Sequence, residues 1–178
     1  MSEFSEGELN EMCKIADGFE LQYNEFSADI DSDNPIQIIL KGHLYIEHEL
    51  TELLKRKLVD HTKLELDKFK FSSLYRLVFA LGLLPEEIYP VIKGINDLRN
   101  NCAHDLKYTF GTKECKRIED AFSGGFKKQY MSFLSSSKKE QTNELVKLQM
   151  ILFTVWEKIK AENIIPSNIK EKLKEKVK

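Results

Sequence analysis

The chain has 178 residues, of which 42% are hydrophobic and 31% are charged, and its formal net charge is -2. This length suits one domain with a full hydrophobic core, and its four prolines and eight glycines disfavour a loop-rich or all-β design. A net charge near zero produces no global field that attracts nucleic acid, although a small RNA-contacting patch stays open.

The cysteines and the N-terminus indicate the compartment. Cys13, Cys102 and Cys115 include no Cys-x-x-Cys pair, so a structural zinc site is not expected. We expect these cysteines to be free thiols in a reducing cytosol. Residues 1–8 are acidic and lack an apolar signal region, and no apolar cluster is long enough to cross a bilayer. We therefore expect a cytoplasmic protein with no metal, no cofactor and no membrane contact.

Apolar spacing predicts a first helix over about residues 5–26 and a second that begins at Asn34-Pro35, an N-cap followed by proline at the first helical position. The second helix is the clearest in the sequence. Its predicted apolar face consists of Ile36, Ile39, Leu40, Leu44, Leu50, Leu53, Leu54 and Leu58. Its predicted solvent face consists of Lys41, Glu49, Glu52, Lys55 and Lys57.

The second half of the chain continues in the same way. A helix is predicted over 71–84, and Pro85 opens another that ends near His104. A helix over 113–122 precedes a segment, 123–139, that is assigned as loop-rich because of Gly124-Gly125 and a run of serines and lysines. A long helix is predicted over 140–162, and a solvated tail over 166–178. The pattern predicts one all-α domain, a bundle of about five or six helices.

The hexapeptide Arg99-Asn100-Asn101-Cys102-Ala103-His104 carries side chains that suit a phosphodiester. Arginine binds phosphate through paired donors, and histidine takes or gives a proton near neutral pH. Asn100 shares a helix face with His104, whereas Arg99 lies about 140° from His104 in azimuth and roughly 7.5 Å away along the axis. A structural role stays open, because cationic side chains favour the C-terminal ends of helices.

Three segments in this order resemble the HEPN superfamily, and within it the mannitol operon repressor branch. They are Gly42-His43-Leu44-Tyr45-Ile46-Glu47, Ala80-Leu81-Gly82-Leu83 and Arg99 to His104, and the resemblance covers about residues 35–122. It implies a helical bundle that forms a homodimer in which two motifs face each other. In many members of the superfamily, the cleft between the two facing motifs is the active site of a metal-independent endoribonuclease. Such a member is often a toxin or an antiviral effector.

The resemblance also implies roles and partners. Arg99 would stabilise charge on the phosphate, His104 would act on the ribose 2′-hydroxyl as a base or protonate the leaving oxygen, and Asn100 would support them. RNA and an antitoxin or regulatory protein are the implied partners. The mannitol operon repressor branch is associated with transcriptional regulation, so a non-catalytic regulatory or protein-interaction module is the alternative.

Further residues are candidates for the same site. Glu47 is the candidate carboxylate for orienting His104 or Arg99, with a solvated polar face as the alternative. Lys107 and Tyr108 are the candidate RNA-binding residues; Tyr108 would stack on a base, or else pack over the helix end. Cys102 is interpreted as a core residue rather than a nucleophile. DNA binding is not expected, because no helix-turn-helix signature or basic recognition helix is present.

Overall fold

The fold is all-helical, as the sequence predicts. A computed structural model describes residues 4–105, 107–137 and 143–176, and over these ranges it contains α-helices, short 3-10 turns and no strand. The α-helices are α1 (Glu6–Ile30), α2 (Pro35–Lys57), α3 (Phe71–Ala80), α4 (Tyr89–His104), α5 (Thr112–Glu119), α6 (Gly124–Ser136), α7 (Glu144–Ile164) and α8 (Ser167–Lys176). None of these helices, within the described ranges, is both long and apolar enough to span a membrane.

The start of α2 confirms the predicted N-cap. The Asn34 side chain accepts hydrogen bonds from the backbone N–H groups of Ile36 (3.0 Å) and Gln37 (3.4 Å), and Pro35 occupies the first helical position, where its missing N–H costs nothing. The start of α4 differs from the prediction. A 3-10 turn, Glu86–Ile88, separates Pro85 from the α-helix, because Pro90 lacks the N–H that would continue a regular α-helix from Pro85.

The assignment of 123–139 as loop-rich is wrong, because Gly124–Ser136 form α6. Gly124 has a φ of +54°, a left-handed conformation that glycine adopts without strain and that turns the chain into the helix. The buried rings of Phe126 and Tyr130 then stack on Phe122, with centroid distances of 4.9 and 4.6 Å. This packing stabilises α6 despite its poor intrinsic propensity. Residues 138–142, which include the predicted start of the long helix, lie outside the described ranges.

Helices α2 and α7 form the centre of the bundle. Helices α1, α3 and α4 pack against α2, and α5 and α6 pack against α7. The two central helices are in close contact at Gly42, where an added Cβ would lie 2.6 Å from Cδ1 of Leu152. Phe26 of α1 stacks on Trp156 of α7 with ring centroids 4.6 Å apart, and both side chains are buried. The central pair therefore holds α2 rigidly against the rest of the molecule.

Part of the predicted apolar face of α2 is wrong. Ile36, Leu40 and Leu44 are 36%, 39% and 58% exposed, and their spacing of four places them in one stripe on the helix surface. We call these three residues the α2 apolar stripe. They are exposed because the neighbouring helices cover other faces of α2, one of which contains Gly42.

The assignment of Glu49 to the solvent face is also wrong. Its side chain is buried and accepts hydrogen bonds from Nζ of Lys160 (2.9 Å) and Nδ2 of Asn163 (2.7 Å), both on α7. A buried carboxylate is tolerated here because a cation and an amide compensate its lost hydration.

The predicted tail forms α8 and packs on the bundle through buried Ile169. Nζ of Lys170 lies 2.6 Å from Oε2 of Glu162, and Nζ of Lys172 lies 2.7 Å from Oε2 of Glu8. These two lysines are thus bound to carboxylates of the protein itself.

Candidate active site

Helix α4 carries four residues of the candidate site. Asn96, Asn100 and His104 follow one another at intervals of four and share one face, and Arg99 lies one turn after Asn96, about 140° in azimuth from His104. The residues of α4 that are buried in the core are Val91, Ile92, Ile95 and Leu98. Burial of this apolar face fixes the rotation of α4 and turns the polar face toward α2 and α3.

These polar residues line a cleft of about 520 Å³. Helix α4 contributes the four residues just named, α2 contributes His43 and Glu47, and the beginning of α3 contributes Lys70, Phe71 and Ser72. The structure therefore brings together the four residues for which a catalytic or supporting role was predicted: Arg99, Asn100, His104 and Glu47. The volume lies within the range of pockets that bind small ligands, roughly 300–1,000 Å³.

The three motif residues differ in exposure. Arg99 and Asn100 are half-buried in the cleft wall, whereas His104, at the last turn of α4, is exposed. Nη1 of Arg99 lies 3.4 Å from Oδ1 of Asn100, so the amide accepts a hydrogen bond from the guanidinium. A fixed cation inside the cleft and a solvent-accessible imidazole at its edge are groups that can bind an anion and transfer a proton.

His43 forms a buried part of the cleft wall. Its ring packs on Phe71 with centroids 4.1 Å apart, and Nδ1 lies 3.9 Å from Oε2 of Glu47. Burial, together with the positive charge of Arg99, lowers the pKa of His43 to about 4, so the imidazole is neutral at pH 7. Its Nε2 atom is buried and has no hydrogen-bond partner among the described residues.

Glu47 lies beside His43 and interacts with the charge of Arg99. Burial raises the pKa of the Glu47 carboxyl, and the Arg99 guanidinium opposes that rise. The side chain is 32% exposed and faces the cleft rather than open solvent. The structure thus places Glu47 where it can act on Arg99, one of the two residues that it was predicted to orient.

Lys107 and Tyr108 lie outside the cleft lining. Lys107 is exposed, and its backbone N–H binds Oδ1 of Asp105 (2.9 Å). Tyr108 is partly buried against the core, with its hydroxyl inside. Their assignment as RNA-binding residues stays a prediction. Cys102 is also partly buried, and burial raises the pKa of its thiol, which does not favour a nucleophilic thiolate.

Several lining residues were not predicted as part of the site. Asn96 could have been predicted from the sequence, because it lies four residues before Asn100 and eight before His104 on the same face of the helix. His43 was quoted only within a segment that resembles the HEPN superfamily, and Lys70 and Ser72 have no sequence periodicity that links them to α4. Over the described ranges, no group of three or more His, Cys, Asp or Glu side chains is arranged to hold a metal ion.

The sequence matches no protein-family model. Comparisons with curated proteins and with solved structures give no match either. The resemblance to the HEPN superfamily therefore depends on the three short segments quoted above, and the function of the cleft depends on the chemistry of its side chains.

Proposed function

We propose that this protein is a metal-independent endoribonuclease of the HEPN type that acts as a homodimer. The observation that supports the proposal is the common cleft of Arg99, Asn100 and His104. A role as a toxin or an antiviral effector, restrained by an antitoxin or regulatory protein, belongs to the same proposal through the resemblance of the motif.

In the proposed reaction the ribose 2′-oxygen attacks the neighbouring phosphorus and the 5′-oxygen leaves, which yields a 2′,3′-cyclic phosphate and a 5′-hydroxyl. His104 takes the proton of the 2′-hydroxyl while water protonates the leaving oxygen, or His104 protonates the leaving oxygen while water takes the proton of the 2′-hydroxyl. The Arg99 guanidinium stabilises the charge that develops on the phosphate, and Asn100 holds that guanidinium through the 3.4 Å contact. A permanent cation supplies this charge stabilisation without a metal ion.

Cleavage of single-stranded RNA in EDTA tests the proposal. The wild-type protein should cut, and Arg99→Ala and His104→Ala should each lower the rate by at least about 100-fold. His48→Ala is the matched control, because His48 is an exposed histidine of α2 that does not line the cleft. Equal cleavage by all four proteins would indicate a contaminating nuclease and refute the proposal.

A second candidate is the non-catalytic regulatory or interaction module. The α2 apolar stripe favours it, because aligned exposed apolar side chains are typical of protein contacts. This candidate requires a stable protein complex and no RNA cleavage in any buffer. Cleavage in EDTA that depends on His104 would exclude it.

A further inference from the structure

Helix α3 begins in the wall of the cleft without a cap. Its N-cap residue is Lys70, whose side chain has no acceptor, and no side chain caps the helix. The backbone N–H groups of Ser73 and Leu74 bind the Lys70 carbonyl oxygen, whereas those of Phe71 and Ser72 have no partner in the described part of the chain. Free N–H groups at a helix N-terminus, with the positive end of its dipole, form an anion site.

His43, which lines the same cleft, gives a second indication of a bound group. The residue is 3% exposed, its Nε2 has no partner over the described ranges, and its ring packs on Phe71, the first residue of α3. A buried nitrogen without a hydrogen-bond partner lowers the stability of the fold unless a bound group supplies the missing hydrogen bond. Lys70 and Arg99 add positive charge to this cleft, and Glu47 is an opposing carboxylate in its wall.

We propose that the beginning of α3 is a phosphate subsite, in which Lys70, the Ser72 hydroxyl and the N–H groups of Phe71 and Ser72 bind an RNA phosphate next to the one held by Arg99. The identity of the ligand rests on the proposed function. These residues bind and position the RNA, while the proton transfer stays with His104. A cleft of about 520 Å³ has room for a ligand that contacts both α3 and α4.

The substitution Lys70→Asn tests the subsite directly. Asparagine at the N-cap would accept a hydrogen bond from the Ser72 N–H, so the helix would gain a cap while the anion lost one of its donors and a cation. The melting temperature should rise by about 2–4 °C. The Kd for a fluorescent 2′-O-methyl oligoribonucleotide, which cannot be cleaved, should rise at least about tenfold.

Two further variants complete the test. Lys63→Asn makes the same change of charge at an exposed position outside the cleft, and its Kd should stay within about twofold of wild type. Ser72→Ala removes the hydroxyl alone and should weaken RNA binding about threefold or more. If Lys70→Asn lowers the melting temperature instead, the Kd of Ser72→Ala for the oligoribonucleotide tests the subsite.

The possible results separate this inference from the proposed function. Wild-type RNA affinity in both Lys70→Asn and Ser72→Ala would overturn the subsite, even if the protein cleaves RNA. Loss of inorganic phosphate binding in Lys70→Asn, with RNA binding unchanged, would overturn the assignment to the RNA backbone. RNA binding that depends on Lys70, in a wild-type protein that does not cleave, would support the subsite and refute the nuclease.

Discussion

At the scale of single residues, we expect His43 of the cleft wall to make the free energy of unfolding depend on pH. Its folded-state pKa of about 4 lies below the ordinary value of 6.5, so between these pH values the unfolded chain binds more protons than the folded protein. The free energy of unfolding should therefore fall as the pH falls through this window. From His43 alone we expect a loss of about 2 kcal/mol between pH 7 and pH 5, measured by urea denaturation.

The variant His43→Gln removes this titration and should lose correspondingly less stability between pH 7 and pH 5 than the wild type. His61→Gln is the control, because His61 is exposed in a short 3-10 turn, and it should keep the wild-type difference. An unchanged pH dependence in His43→Gln would show that the buried imidazole does not determine it.

Apart from Glu47 on α2, the candidate site was predictable only where its residues lie on α4. Spacing alone placed Asn100 and His104 on one face, and the same rule would have added Asn96. Helix spacing did not place Arg99 on that face. The structure shows that the side chains of Arg99 and His104 nevertheless line the same cleft. Lys70 comes from a different helix, and only the packing of α3 beside α4 brings it to the site.

At the scale of helices, the contact between α2 and α7 depends on a glycine. In Gly42→Ala the new Cβ would lie 2.6 Å from Cδ1 of Leu152, a buried side chain with little room to move. We expect a loss of about 1–3 kcal/mol in the free energy of unfolding, measured by chemical denaturation.

Gly18→Ala provides the matched control for this helix contact. Gly18 is an exposed glycine within α1, and an added Cβ there would meet nothing within 4 Å. Because alanine favours the helix, this change should stabilise the protein by about 0.5–1 kcal/mol. Equal effects of the two substitutions would contradict the close approach at Gly42.

The sequence predicted helices whose signals are local and missed features that depend on distant partners. Asn34-Pro35 marks the start of α2 by itself. Helix α6 depends on the stacking of Phe126 and Tyr130 on Phe122, which its serine and glycine content conceals. The burial of Glu49 depends on Lys160, which lies 111 residues further along the chain.

At the scale of the whole molecule, the α2 apolar stripe is the surface through which we expect the proposed homodimer to form. Leu44 follows His43 and lies three residues before Glu47, so the stripe borders the cleft and a contact there would bring two clefts near each other. Leu44→Glu should shift the sedimentation velocity from dimer to monomer, because it places a charge in an apolar contact.

Leu21→Glu is the control for the dimer, since Leu21 is an exposed leucine of α1 outside the stripe. It should sediment like the wild-type protein. A monomeric wild type, or a Leu44→Glu variant that remains dimeric, would contradict this surface.

The most direct measurement compares two substrates in EDTA: a single-stranded RNA, and the same sequence with 2′-deoxyribose at every position. Because the proposed reaction uses the 2′-oxygen as its nucleophile, the protein should cut the RNA into products with 2′,3′-cyclic phosphate ends and leave the deoxy substrate intact. Cleavage of both substrates, or of neither, would contradict the account.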